Sequence, residues 1–290
     1  MTGIEILKIL MMAIVQGVGE FLPISSSGHL FVFGKLLFGG IDEDELMTLN
    51  ILLHAGTLLS ILVIFRKWIW EMLTENRRLI FLVIVGTIPT GIIGILIKKE
   101  FPFLTNSLRL TGVGFLVTGW LLLSCLGKKG RNSEDAPQGE RTAGISENQS
   151  ADTELSRKTL RTMSWLDAVI IGIFQGVAVL PGISRSGTTI VGGILRKLRA
   201  EDSAVFSFLL AIPAIGGAVT LELIEFLSEK KGVLWDSNFP LYLLGALVSF
   251  FIGLVSLIFL LKWLKQGKLA WFAWWLFLIG TFSIIWGICS

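Results

Sequence analysis

Six apolar stretches decide what this chain can fold into. Residues 48–65, 79–97, 110–126, 203–221, 239–261 and 269–288 run almost free of charge, and each is at or near the roughly 20 helical residues that cross a hydrocarbon core. Little polar sequence is left for a water-soluble domain: 16% of the 290 residues are charged, against about 25% in soluble proteins. The mean hydropathy of +0.75 agrees. Trp68, Trp70, Trp235, Trp263 and Trp271 stand near run ends, where indoles suit the lipid–water interface. The expected fold class is all-α, a polytopic membrane protein. The first apolar segment holds Lys8 and runs into Glu20 and Pro23, which is not the pattern of a cleaved signal peptide. Cys125 and Cys289 fall at run ends and read as small packing residues.

One segment breaks the pattern. Residues 127–164 hold seven Lys or Arg and six Asp or Glu among few apolar groups, the composition of a solvated linker. On either side of it the chain repeats. QGVGEFLPISSSG at 16–28 aligns without gaps on QGVAVLPGISRSG at 175–187, with seven of thirteen positions identical at an offset of 159. The chain therefore reads as two membrane repeats, 1–126 and 165–290, joined by the linker 127–164.

The repeated segments are too short to span. Residues 4–20 make about 25 Å of helix and 25–38 about 21 Å, against a core of roughly 30 Å. Residues 164–180 and 184–195 are similar, and a Pro/Gly/Ser turn interrupts each pair. Each pair reads as a re-entrant helical hairpin; four short tilted spans are the alternative. A hairpin returns to its side and three spans then switch sides, which makes the two repeats inverted. That arrangement puts seventeen Lys and Arg on the linker's face and seven on the other, with Arg185 at a hairpin tip. By the positive-inside rule the linker is cytoplasmic and both termini face outward.

The two tips, entering from opposite faces, are expected to meet near the midplane, where inverted repeats place their sites. Glu20 and Arg185 are then ionisable groups at membrane depth, expensive unless paired or functional. In register, Glu20 corresponds to Val179 and Arg185 to Ser26. A composite site follows, with a Glu20–Arg185 pair that only locks the halves as the bland alternative. Ser25, Ser26 and Ser27 precede one apolar helical run, and Ser184, Ser186 and Gly187 open another. Such helix starts cap themselves and offer unsatisfied N–H groups to an anion. Guanidinium binds phosphate oxygens in a fork. Gln16 and Glu20, four apart, share a helix face and form a thin oxygen site for a divalent cation. His29 suits proton transfer near neutrality, while His54 reads as a hydrogen-bonded helix residue.

These residues resemble the undecaprenyl-diphosphate phosphatase family, the bacitracin-resistance type of polyprenyl phosphatase. The marks are QGVGE at 16–20, PISSSGH at 23–29 and PGISRSG at 181–187. The resemblance implies hydrolysis of undecaprenyl diphosphate to the monophosphate, recycling the lipid carrier of cell-wall synthesis in the cell membrane. It implies Ser26 as nucleophile, His29 as base or acid, and Arg185 on the diphosphate. It also implies Glu20 with Gln16 on a divalent cation, Mg²⁺ or Ca²⁺; glutamine at 16 leaves one carboxylate where the family motif allows two. Attack by a water held by Glu20 and His29 stays open beside the serine route. A transporter or flippase for a phosphate-bearing lipid is the alternative activity. The expected partners are a polyprenyl diphosphate, membrane lipids and, as an open option, a second copy in a homodimer; no nucleic acid is expected.

Overall fold

The computed structural model describes residues 3–38, 43–124, 157–229 and 239–290; Cys125, Trp235 and linker residues 127–156 lie outside them. Helices α1 (Gly3–Gly19) and α2 (Ser26–Phe38) open the chain, followed by α3 (Glu43–Ile64), α4 (Arg66–Thr74), α5 (Arg77–Glu100) and α6 (Leu108–Leu123). After the linker come α7 (Trp165–Val177), α8 (Arg185–Leu195), α9 (Ala200–Glu229), α10 (Phe239–Lys265) and α11 (Phe272–Cys289). No β-strand occurs among the described residues; an isolated bridge pairs Lys158 with Leu198.

Among the described residues four segments are long and apolar enough to cross a membrane: Arg77–Glu100, Ala200–Ile224, Phe239–Lys265 and Leu269–Cys289. A fifth exists if α3 and α4, bent by 68° at Phe65, count as one span. The described part of the stretch at 110–126 lies in the 16-residue α6, shorter than a full crossing. The surface is inside-out relative to a soluble protein. Ile84, Ile88, Ile92 and Ile95, a turn apart on α5, are each more than half exposed, whereas Gln16, Glu20, Thr57, Thr111, Thr118, Gln175 and Ser207 are buried. Lipid is the solvent that rewards this arrangement, since backbone and side-chain polar groups must then be satisfied internally.

Small residues let the helices approach closely. A methyl at Gly17 would stand 2.9 Å from the Ser249 carbonyl, bringing α1 against α10. One at Gly172 would meet the Gly86 carbonyl, where α7 lies on α5. Proline interrupts the hydrogen-bond ladder inside α5 (Pro89) and α9 (Pro213). Gln175 of α7 ties both regions together, donating to Thr90 Oγ1 and to the Leu210 carbonyl, each at 3.3 Å.

The end of the linker departs from the solvated reading. Residues 157–164 lie against the protein, with Leu160 and Met163 buried. The Lys158 N–H donates to the Lys197 carbonyl (2.8 Å) and the Arg199 N–H to the Lys158 carbonyl (3.0 Å). Arg78 donates to the carbonyls of Arg161 (2.8 Å) and Met163. Buried Asp167 accepts from Lys158 and Arg196, each at 2.8 Å, and completes a capping box with Ser164. Two apolar anchors and this ion-pair cluster outweigh the polar composition of the segment.

Candidate active site

The first tip is the turn between α1 and α2. Gly19 lets the chain fold back, because a methyl there would come 2.9 Å from Ser26 Cα. Ser25 caps α2, its Oγ accepting from the Gly28 N–H at 3.3 Å. It does so with φ of +70°, a left-handed backbone that costs a non-glycine residue about 1–3 kcal/mol. The second tip, between α7 and α8, uses Ser184 as cap at φ −76°, accepting from the Gly187 N–H at 3.1 Å. There the left-handed position falls on Gly182, at φ +87°. The tips touch: a methyl on Gly28 would lie 2.7 Å from the Gly182 nitrogen. Ser186 Oγ reaches across to the Leu22 carbonyl (3.3 Å).

Both tips converge on Glu20. Its Oε1 is ion-paired with Arg185 Nη2. Its Oε2 accepts from Ser26 Oγ at 2.5 Å and from Gln16 Nε2 at 3.1 Å. Three of the residues singled out in the sequence thus meet on one buried carboxylate. α3 adds two more that sequence reasoning did not select for the site. His54 Nε2 stands 3.9 Å from Glu20 Oε2, and Thr57 Oγ1 accepts from Gln16 Nε2 at 3.3 Å. His54 also bonds the Asn50 carbonyl through Nδ1 (2.8 Å), so its expected role in the helix holds alongside its approach to Glu20. Their one advance signal was the three-residue spacing that puts both on a single helix face.

Two atoms of this cluster stay unsatisfied by protein: Arg185 Nη1 and Gln16 Oε1 are buried without a hydrogen-bond partner. A buried orphan costs about 1–3 kcal/mol, more when charged, and each is therefore an atom that a ligand could satisfy. A guanidinium N–H invites an anionic oxygen; an amide oxygen beside a carboxylate invites a hard cation. Gln16 here turns its Nε2 to Glu20 Oε2, so the two residues offer a cation a pair of oxygens only after the amide flips. Among the described residues no group of three or more His, Cys, Asp and Glu forms a metal cage, so any further ligands come from elsewhere, as is usual for Mg²⁺ at phosphate sites.

The structure does not join His29 to Ser26. His29 Nδ1 bonds the Ser25 carbonyl at 2.8 Å, and Nε2 accepts from Trp275 Nε1 of α11 at 2.9 Å. The hydroxyls of Ser25 and Ser27 lie 3.4 Å apart and those of Ser184 and Ser186 3.2 Å apart, the same pairing at each tip. Beside the first tip opens an apolar cavity of about 380 Å³, lined by Ile14, Val15, Val18, Ile24, His29, Phe33, Phe272 and Trp275.

A family model described as bacitracin resistance protein BacA matches residues 9–282. The chain belongs to this family. Among BacA-type relatives, the undecaprenyl-diphosphatase of Rhodopirellula baltica is 40% identical over 281 residues, covering 97% of this chain and 98% of its own. That of Alkaliphilus metalliredigens is 37% identical over 300 residues with the same coverage, and that of Halothermothrix orenii 38% over 285. Both tips and the Glu20 cluster fall inside the BacA match, which takes in α2 to α10 whole and most of α1 and α11.

Proposed function

We propose that this chain is an integral-membrane phosphatase that hydrolyses undecaprenyl diphosphate to undecaprenyl phosphate and inorganic phosphate, returning the lipid carrier to cell-wall synthesis. The observation that carries this reading is the meeting of Ser26 and Arg185 on Glu20, with Arg185 Nη1 left as a buried donor that no protein atom uses. Membership of the BacA family, with relatives named for this activity, supports the substrate.

Ser26 is the nucleophile in this mechanism. Its Oγ attacks the terminal phosphorus, and its proton passes to Glu20 Oε2, the acceptor it already faces. The bond from phosphorus to the bridging oxygen breaks, and undecaprenyl phosphate leaves with the electron pair. Water then cleaves the phosphoserine, releasing phosphate and restoring the hydroxyl. Arg185 Nη1 and the first-turn N–H groups of α2 and α8, shaped by Ser25, Ser27, Ser184, Ser186 and Gly187, stabilise charge on the phosphoryl oxygens. Glu20 and Gln16 would hold a divalent cation, Mg²⁺ or Ca²⁺, which supplies further charge neutralisation when bound. The apolar cavity beside the tip is of the size ligand pockets take, about 300–1,000 Å³, and gives the first units of the prenyl chain a place while the headgroup stays at the tips.

The same reading takes the fold as two inverted repeats, 1–126 and 165–290, each a re-entrant hairpin plus three spans, with linker 127–164 cytoplasmic and both termini outward. Two features support it: α1 and α7 are 17 and 13 residues long, too short for a core of roughly 30 Å at 1.5 Å per residue, and α1 packs on α10 as α7 packs on α5. The test is phosphate release from a long-chain prenyl diphosphate by the purified chain in detergent, wild type beside Arg185→Ala, with Mg²⁺ or Ca²⁺. Release that the folded variant loses supports the phosphatase. No release by folded wild type with either cation would return the field to lipid transport, which needs no hydrolysis.

A further inference from the structure

We propose that Trp275 is a positioning residue for this reaction. It holds His29, and through it the Ser25 carbonyl, so that Ser26 stays aimed at the substrate; His29 is a hydrogen-bonded strut and not the proton carrier. The inference rests on the phosphatase reading.

Hydrogen-bond chemistry assigns the imidazole. A carbonyl only accepts, so Nδ1 carries the hydrogen in the bond to Ser25; an indole nitrogen only donates, so Nε2 presents its lone pair to Trp275. Both ring nitrogens are used. A general base needs a free lone pair within about 2.6–3.2 Å of the proton it takes, and the Ser26 hydroxyl is already bonded to Glu20. The ring is also clamped. Trp275 lies beside it nearly coplanar, at 13° with ring centres 6.0 Å apart, and Phe115 meets it edge-on at 4.9 Å. His29 is 3% exposed.

The carbonyl that His29 holds belongs to the one tip residue that needs holding. Left-handed non-glycine positions persist where their surroundings over-determine them, and Ser25 is fixed by the Gly28 N–H on its Oγ and by the His29 backbone N–H and Nδ1 on its carbonyl. The second tip supplies the control. The position equivalent to His29 is Thr188, and its hydroxyl donates to the carbonyl of Ser184, the residue equivalent to Ser25, at 2.9 Å. A side chain with no role in proton transfer makes the same bond at the same place. What the two copies share at this position is therefore the strut, and the imidazole differs by reaching one residue further, to Trp275.

The test uses the full-length purified chain, with kcat, KM and the pH profile of phosphate release. Trp275→Phe keeps an aromatic ring beside His29 and removes the N–H. The strut predicts a kcat about tenfold lower, the size of one lost hydrogen bond, with KM within twofold and both limbs of the pH profile retained. A proton-carrier role predicts the reverse, since freeing Nε2 leaves kcat unchanged or raised. His29→Thr, copying the second tip, should keep activity within about tenfold of wild type and well above His29→Ala. A loss in His29→Thr of about 10²–10⁴-fold, the contribution of a general base, equal to that in His29→Ala and with one pH limb gone, would overturn the proposal. Histidine ¹⁵N spectra stand apart from turnover: an Nδ1–H tautomer that changes in Trp275→Phe supports the strut, and a free Nε2 signal insensitive to residue 275 defeats it. Absence of phosphate release from wild type would strike the phosphatase reading instead, so the two failures are told apart.

Discussion

The two tips are the same scaffold carrying different chemistry. Each caps its helix with a serine bonded to a glycine N–H three residues on, pairs that serine with another two residues later, and ties the cap carbonyl to the side chain four residues on. They part at residue 20, glutamate against Val179, and at residue 26, serine against Arg185. They part also in backbone, φ +70° at Ser25 against −76° at Ser184. The lesson is a division of labour. One copy keeps the hydroxyl and carboxylate, the other supplies the cation, and contact between copies assembles a group that neither holds alone.

Ser26→Ala breaks this comparison most severely. Phosphate release should fall by roughly 10⁶-fold, the scale seen on removing a nucleophile, while the melting curve in detergent shifts little; retained activity would leave direct attack by water as the route. Next comes making the tips alike in charge. Glu20→Val alone leaves Arg185 as a buried unpaired charge and should cost about 3–5 kcal/mol, read as reversible unfolding in mixed micelles. Adding Arg185→Ser should recover most of that stability while activity stays absent. If the two losses simply add, the charges are not coupled across the tips.

Gln16→Ala should act more mildly. We expect the Mg²⁺ or Ca²⁺ concentration for half-maximal activity to rise by about tenfold, the low end for lost support at a metal site, and chelation to abolish phosphate release in wild type. Unchanged cation dependence would take Gln16 out of the site. The smallest effects carry opposite signs. Ser25→Gly relieves the left-handed backbone and loses only a few tenths of a kcal/mol as a cap, so it should stabilise by about 1 kcal/mol. Ser184→Gly, at an ordinary φ, should destabilise by up to about 1 kcal/mol. Equal signs would mean the backbone difference between the tips has no energetic weight.

Much of the site was legible before any coordinates. The repeat register marked Glu20 and Arg185 as complementary departures, and the caps at Ser25 and Ser184 follow from serine before an apolar run. Ser26, Gln16 and Glu20 share a short segment, so their proximity is a local matter. His29 shows where that reasoning stops. Its composition and spacing suit a proton carrier for Ser26, yet its nitrogens are taken by a carbonyl four residues back and an indole 246 residues on. His54 and Thr57 looked like ordinary helix positions for the same reason: their distance to Glu20 is set by how α3 packs on α10 and α1. The linker end erred in the other direction, since its polar composition hides Leu160 and Met163, which bury only against the neighbouring helices.

By itself the sequence determined the solvent, the helical class and the duplicated turns, because each depends on a transfer free energy or backbone preference summed over neighbouring residues. The tertiary structure alone decided which groups satisfy one another: Arg185 on Glu20, Trp275 on His29, Gln175 across two proline-broken helices. In a low-dielectric interior every buried polar atom must find a partner or a ligand. Those partners lie far apart in the chain, and only the packed helices bring them within hydrogen-bond reach.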